Sequence, residues 1–307
     1  MAFPLITDYT TAVRNARSRF ATLDLVPELD SRGVPVFMAG NFATVFKATE
    51  NSTGSRVAVK CFIRDMPDVE KRYRAIAAMI AKTKASLFIN LRFCPNELFV
   101  HSTSAGNGAY PVVVMPWIEG RTLGQVIRNL CTNNKQNGLA SLTRVWARLS
   151  LTMLSLGIAH GDLKHDNVMA APDAVLKLID YESMYVPSLK GLHSLVLGGV
   201  HYQHPKRETS HFNPSVDHFS ILVITLSLRA LTLDPKIYGR CNNGENIIFT
   251  RDDFAAPRQS KLVNHLLASK DGLVRDWTKV LLSSLASPSI AIPGIDKILK
   301  QAEKIAS

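Results

Sequence analysis

The spacing of hydrophobic residues changes twice along this chain, and the changes divide it into three parts. Residues 8–20 show the spacing of a short amphipathic helix, with Asp8 as its predicted N-cap. A stretch that contains proline and glycine follows, as far as Gly33. Residues 1–33 are therefore predicted to form a helical extension in front of the main fold.

Residues 34–118 contain short apolar runs separated by turn residues, which predicts a small β-sheet. One helix is expected over Asp68–Ala85, because Pro67 stands where proline is tolerated at a helix start. Five strands are expected, over Pro35–Ala39, Ala43–Ala48, Ser55–Ile63, Leu98–Ser102 and Tyr110–Trp117.

Residues 119–307 have mostly helical spacing, and Leu142–Ile158 is the clearest long helix. Two short strands are expected at Asn167–Ala170 and Val175–Ile179. A loop rich in glycine, proline and histidine follows over Tyr181–Pro214. A β-rich part followed by an α-rich part predicts an α+β fold.

The composition is that of a globular protein, with 46% hydrophobic and 20% charged residues. The net charge is +11, but no long Lys/Arg run appears, so nucleic acid binding is not expected. The four cysteines form no CxxC pair, which favours reduced thiols in the cytoplasm. The N-terminal residues lack the apolar core of a signal peptide, and no segment is predicted to span a membrane.

The candidate chemistry lies in His160–Asn167, with the sequence HGDLKHDN, between a predicted helix and a predicted strand. Asp180 ends the following pair of short strands. Phosphoryl transfer from ATP needs a carboxylate near the acceptor hydroxyl, oxygen ligands for Mg²⁺ and a cation near the phosphates. Asp162 suits the carboxylate, Asn167 and Asp180 suit the metal, and Lys164 suits the charge.

These segments resemble those of eukaryotic-like protein kinases, in their bacterial form. HGDLKHDN is similar to the catalytic loop, and Asp180-Tyr181-Glu182 is similar to the metal-binding DFG motif. Val57–Lys60 resembles the strand that carries the ATP-phosphate lysine. The resemblance covers roughly residues 34–290 and implies a two-lobed fold, with an N-lobe over 34–118 and a C-lobe over 119–307.

The resemblance implies transfer of the γ-phosphate of ATP to a protein substrate, and the chain itself is one candidate for that substrate. Asp162 is the implied catalytic base, and Lys164, two residues later, favours Ser/Thr over Tyr as the acceptor. Lys60 is the implied phosphate-binding lysine. Glu70 is its implied partner, because it is the only carboxylate between positions 68 and 93.

The implied cofactors are ATP and Mg²⁺, with Mn²⁺ as an alternative ion. Asn167 and Asp180 are the implied metal ligands. The implied nucleotide-binding residues lie in the glycine loop, two strands, the hinge and the floor of an adenine pocket: Gly40, Asn41, Phe42, Ala43, Val45, Ala58, Lys60, Met115, Trp117 and Met169.

Several positions depart from the kinase pattern. Met38 and Ala43 replace two glycines of the phosphate loop. Gly161 stands in place of an arginine, Glu182 in place of the last glycine of DFG, and Lys206 in place of a glutamate that forms a buried ion pair. We expect these changes to affect regulation more than chemistry.

Three functions remain open at this point. An active Ser/Thr protein kinase has the complete set of catalytic residues, whereas the altered glycine loop favours a pseudokinase that acts as a scaffold. A small-molecule kinase, similar to aminoglycoside or choline phosphotransferases, shares the HGD and IDYE segments. A protein substrate is favoured because Gly198–Pro205 resembles a peptide-positioning loop and Asp217 resembles the residue that braces the catalytic loop.

Overall fold

A computed structural model describes residues 2–172 and 175–305. The chain divides into two compact units, Met1–Ile118 and Glu119–Ser307. The first unit is built on a β-sheet and the second is mainly helical. In the described part of the chain, no helix combines the length and the apolar character needed to cross a bilayer.

The first unit contains a six-stranded antiparallel sheet with the strand order β1-β3-β4-β6-β5, and β2 also pairs with β3. The strands are β1 (Leu25–Pro27), β2 (Phe37–Ala39), β3 (Ala43–Glu50), β4 (Arg56–Phe62), β5 (Arg92–Val100) and β6 (Gly108–Pro116). The helices are α1 (Ile6–Arg14), α2 (Ala16–Arg19) and α3 (Val69–Thr83). The five expected strands and the expected helix are present, and β5 begins earlier than its apolar run indicated.

The first 33 residues are built into this sheet. Strand β1, which the sequence analysis did not predict, pairs with the end of β3. Helix α1 packs on the sheet through Tyr9, Ala12 and Val13, and the Tyr9 hydroxyl donates to the Phe62 carbonyl over 2.8 Å. Side chains of the extension therefore belong to the same hydrophobic core as those of the strands.

Two acidic residues fix the ends of this segment. The buried carboxylate of Glu97 accepts the backbone N–H groups of Thr22 and Leu23, at 2.7 and 2.8 Å. The predicted N-cap role of Asp8 is wrong, because α1 begins at Ile6 and its N-cap is Leu5. Asp8 lies in the first turn, where its carboxylate accepts the Leu5 N–H over 3.1 Å.

The second unit has a three-stranded sheet of β7 (Arg121–Thr122), β8 (Val168–Ala170) and β9 (Leu176–Leu178). Its helices are α4 (Leu123–Thr132), α5 (Gln136–Ser155), α6 (His218–Leu233), α7 (Lys236–Cys241), α8 (Arg251–Ala255), α9 (Lys261–Leu267), α10 (Gly272–Ala286) and α11 (Ile295–Glu303). Helix α6 is buried along most of its length, which explains its apolar sequence. A buried hydrogen bond of 3.0 Å joins Trp146 Nε1 on α5 to Thr225 Oγ1 on α6.

Candidate active site

One face of the first unit's sheet carries half of the ten expected nucleotide-binding residues. Val45 lies directly opposite Lys60, and Ala58 lies directly opposite Met115. Directly opposed and alternate residues of a sheet point to the same side, so Ala43 shares this face with them. Lys60 is only 3% exposed. The register therefore brings these five residues together, although they come from three strands.

The expected glycine loop is a tight turn between β2 and β3. The Gly40 N–H donates to the Ala43 carbonyl over 2.9 Å, and the Phe42 carbonyl accepts from the Ile63 N–H over 2.9 Å. A Cβ atom at position 40 would lie 3.3 Å from the Ala43 carbonyl oxygen, a close contact that would require a small shift of the turn. Met38, at one replaced glycine, is 55% exposed on β2, and Asn41 is also exposed.

Trp117, an expected hinge residue, follows the end of β6. Its N–H donates to the Arg56 carbonyl over 2.9 Å. The Lys47 ammonium lies 5.0 Å from the centre of its indole ring and 2.9 Å from a Glu28 carboxylate oxygen. The ring is thus held by a cation–π contact at the edge of the sheet face that carries Lys60.

Glu70 does not occupy the position predicted for it. Its carboxylate lies 2.7 Å from Arg74 Nε, one turn further along α3, and both side chains are more than half exposed. Glu70 therefore faces solvent at the start of the helix and does not pair with Lys60 in this structure. The sequence showed which acidic residue was nearest in the chain but not which side of α3 would pack on the sheet.

In the second unit, the Asp162 carboxylate is held from two sides. One oxygen, Oδ1, accepts the Gly199 N–H over 2.8 Å, and Oδ2 lies 3.2 Å from the Asn167 amide nitrogen. The Lys164 ammonium is 3.7 Å from the same Oδ2. The side chain of Asp162 is 18% exposed and that of Lys164 is 33% exposed. A carboxylate and an ammonium group therefore lie side by side, and both are partly exposed.

The two expected metal ligands, Asn167 and Asp180, lie in segments that are joined by a backbone hydrogen bond. The Asn167 carbonyl accepts the N–H of Ile179, the residue before Asp180, over 3.0 Å. Asn167 Nδ2 also donates to the Asp162 carbonyl over 2.8 Å. Because Nδ2 faces Asp162 in both contacts, the amide oxygen of Asn167 points away from Asp162. Asp180 has a left-handed backbone, with φ of 70°, a conformation that aspartate tolerates better than most residues. Met169, the expected floor of the adenine pocket, lies on β8 opposite Thr122 and Lys177.

Asp217 braces the HGD loop, as the family resemblance implied. Its buried carboxylate accepts the N–H groups of His160 and Gly161, the second over 3.0 Å. Burial raises the pKa of Asp217, and the nearby His160 ring, the Arg207 guanidinium and the two N–H donors act against that rise. The His160 ring in turn contacts the Ile179 carbonyl over 2.7 Å, which links the loop to the strand that leads to Asp180.

Gly161 is required by the backbone at this point. Its φ is +80°, and a Cβ atom would lie 2.1 Å from the carbonyl oxygen of Ser183. The neighbouring segments are joined by two hydrogen bonds between Ala159 and Tyr185. Glu182, the other replaced position nearby, lies in the buried 3₁₀ turn Tyr181–Ser183. The segment after Asp180 thus occupies the space that a side chain at position 161 needs.

Lys206 also differs from its predicted setting. It is exposed, and its ammonium donates over 2.8 Å to the carbonyl of Ser287, the C-cap of α10. A cation at the C-terminal end of a helix is favourable, because carbonyl groups there lack partners within the helix. The position is therefore not a buried ion pair with its charge reversed.

The segment that precedes α6 contains a buried network that no pattern in the sequence indicated. The Arg207 guanidinium donates to Gln203 Oε1, and lies 3.4 Å from Ser194 Oγ. Gln203 donates to Ser220 on α6 over 3.2 Å, and Ser220 donates to the Tyr202 carbonyl over 2.8 Å. These hydrogen bonds between Arg207 and uncharged groups hold the segment in place. The burial of an arginine is the unusual feature of the network.

An α+β chain with a β-rich unit, a braced HGD loop and a nearby Asn–Asp pair defines a phosphotransferase of the protein-kinase type. Residues 38–273, well over half of the chain, match the family model described as protein kinase domain. The chain therefore belongs to the protein kinase domain family, and the predicted two-lobed α+β kinase fold is confirmed.

Similar proteins are found in plants and bacteria. CBL-interacting protein kinase 25 from Oryza sativa subsp. japonica is 30% identical over 155 residues, which are 48% of this chain and 28% of the relative. The probable serine/threonine-protein kinase PknB of Bifidobacterium longum is 29% identical over 46% of this chain and 21% of the relative. Serine/threonine-protein kinase PknA of Mycobacterium tuberculosis is 24% identical over 60% and 43%. The chain thus spans less than half the length of these relatives, and a bacterial form of the family remains a prediction.

Proposed function

We propose that this chain is an ATP-dependent protein kinase that transfers the γ-phosphate of Mg-ATP to Ser/Thr hydroxyl groups. The observation that supports this most is the setting of Asp162. Its carboxylate is fixed by the Gly199 N–H and the Asn167 amide, and it stays partly exposed beside Lys164. A fixed carboxylate can accept the proton of an acceptor hydroxyl, and the adjacent ammonium can stabilise charge on the phosphate.

The residues present fit the two cofactors. The amide oxygen of Asn167 points away from Asp162, and Asp180 directly follows Ile179, whose N–H donates to the Asn167 carbonyl. Two hard oxygen donors are therefore available for a metal ion. These residues would hold Mg²⁺, or Mn²⁺ as an alternative, and the ion would neutralise charge on the phosphates. On the sheet face, Ala58 leaves room for an adenine and Lys60 supplies a cation for phosphate.

The finer aspects of the proposal concern substrate and location. We propose a protein substrate, including the chain itself, because the Gly198–Pro205 loop bonds directly to Asp162 through Gly199. We propose no nucleic acid partner, no membrane attachment and a cytoplasmic location. The four cysteines are free, which is compatible with a reducing compartment.

A second candidate is a nucleotide-binding scaffold without transfer activity. The observation in its favour is Glu70, which is exposed on α3 and bound to Arg74. Glu70 is therefore not placed as the kinase resemblance implied, and this departure concerns the nucleotide-binding unit. Such a protein is expected to bind Mg-ATP and yet fail to release ADP.

The test uses the purified chain with γ-labelled ATP, Mg²⁺ and dephosphorylated casein, which presents many Ser and Thr residues. Label on protein and free ADP are measured separately. Asp162→Asn keeps an oxygen for the Gly199 N–H but removes the proton acceptor, so we expect transfer to fall by about 10²- to 10⁴-fold. Lys60→Met removes the phosphate cation. Asp276→Asn and Lys279→Met change the same residue types on the exposed side of α10 and serve as controls.

Each outcome separates the candidates. Transfer to casein or to the chain that is lost in Asp162→Asn but kept in both controls supports the proposal. A thermal shift with Mg-ATP without turnover by the wild type would identify the scaffold. ADP release that an amino alcohol, a sugar or an aminoglycoside stimulates, without label on protein, would identify a small-molecule kinase.

A further inference from the structure

Two hydrogen bonds tie the catalytic loop to the peptide-positioning loop in the second unit. The Gly199 N–H donates to Asp162 Oδ1 over 2.8 Å. Three residues further along both segments, the Tyr202 hydroxyl lies 2.5 Å from His165 Nδ1. Both bonds join residues that are 37 positions apart, so the two loops run together over this stretch.

The bond between Tyr202 and His165 is shielded from water. Tyr202 is 1% exposed and His165 is 6% exposed, and their rings lie 5.5 Å apart. A buried hydroxyl or imidazole nitrogen that loses its partner is left without water to replace it. The pair therefore has a strong preference for one arrangement of the two loops.

The start of α4 is shaped to receive the His165 ring. A Cβ atom at position 124 would lie 2.1 Å from His165 Cδ2, so only glycine leaves room for the ring. The Gly124 N–H also donates to the His165 carbonyl over 3.2 Å. His165 is thus held by α4 on one side and by Tyr202 on the other.

The peptide-positioning loop approaches Asp162 closely and carries exposed apolar side chains. A Cβ atom at Gly198 would lie 2.9 Å from Asp162 Oδ1, and φ is +79° there. Leu197 and Val200, on either side of the two glycines, are 45% and 53% exposed. They are therefore available to a partner rather than needed for the core.

We propose that the bond between Tyr202 and His165 is a positioning device that sets where a protein substrate places its acceptor hydroxyl relative to Asp162. This inference rests on the proposed kinase activity. His165 and Tyr202 touch neither the phosphates nor the metal in this scheme. They act through Gly199 and the apolar residues beside it, so the bond controls use of the protein substrate and not of ATP.

The test compares Tyr202→Phe with the wild type in steady-state transfer to dephosphorylated casein. We expect kcat/KM for casein to fall about tenfold, the effect of losing one buried hydrogen bond, while KM for ATP stays within twofold. Tyr110→Phe is the matched control, because it also removes a hydrogen-bonded tyrosine hydroxyl, which lies 2.9 Å from the Ala105 and Gly106 carbonyls in the other unit. His165→Asn keeps an acceptor near Nδ1 and is expected to retain activity within about threefold, whereas His165→Leu is expected to match Tyr202→Phe.

The outcomes separate this inference from the proposed function. If the wild type labels casein and Tyr202→Phe behaves as Tyr110→Phe does, the positioning role is refuted and the kinase activity stands. Equal changes in KM for ATP and for casein would also refute it. If both Tyr202→Phe and His165→Asn fail to fold, the bond is structural and the proposal is overturned. Absence of any transfer by the wild type would overturn both.

Discussion

Replacing Gly161 with alanine tests whether the backbone, and not the loss of an arginine, explains this position. The left-handed φ of +80° costs a residue with a Cβ atom about 1–2 kcal/mol. The added Cβ would lie 2.1 Å from the Ser183 carbonyl oxygen, a contact that requires the backbone to move. Overpacking of this kind costs roughly 1–3 kcal/mol. We therefore expect Gly161→Ala to lower the free energy of unfolding by about 2–5 kcal/mol.

Gly157→Ala provides a matched control four residues earlier in the same unit. Its φ is +63°, but nothing lies within 4 Å of the added Cβ, so only the backbone term applies. We expect a loss of about 1–2 kcal/mol for this variant. Both are measured by equilibrium urea unfolding followed by circular dichroism and tryptophan fluorescence. Equal losses in the two variants would refute the conclusion that the Ser183 carbonyl excludes a side chain at position 161.

Two further predictions concern a histidine and a glutamate. Burial lowers the pKa of His218, whose Nδ1 accepts the Ile292 N–H, so the unfolded chain binds a proton first as the pH falls below 6.5. Stability is therefore full above that pH and decreases below it, by at most about 1.4 kcal/mol at pH 5.5. His218→Asn keeps an acceptor and should reduce this loss in urea unfolding at pH 7.5 and 5.5; an unchanged loss would contradict the assignment. Glu70→Gln should leave KM for ATP within about twofold, because an exposed ion pair to Arg74 contributes little. A tenfold rise would place Glu70 at the nucleotide after all.

The sequence predicted those parts of the site that depend on neighbours in the chain. HGDLKHDN lies in one loop, so Asp162, Lys164 and Asn167 are close for local reasons. The sheet face around Lys60 was also predictable, because alternation along a strand determines which residues share a side. Asp217 is an exception, since only the family resemblance indicated that it would reach a loop 56 residues away.

Contacts between distant segments were not predictable from these patterns. Glu70 was assigned from its place in the chain, but the side of α3 that packs on the sheet is decided by Tyr73 and its contacts with Phe62 and Phe93. The bond between His165 and Tyr202 joins two polar residues that each have many alternative partners. No periodicity marks such a pair, and only the folded backbone brings it together.

Two altered kinase positions of the second unit, Gly161 and Lys206, have contacts that fit the residues present, and this supports the proposed kinase activity over the scaffold alternative. At Gly161, the Ser183 carbonyl occupies the space of a side chain. At Lys206, the ammonium binds the end of α10. The segment before α6 is held by its own hydrogen bonds, including those of the buried Arg207, so we expect it to stay ordered without a bound phosphate group.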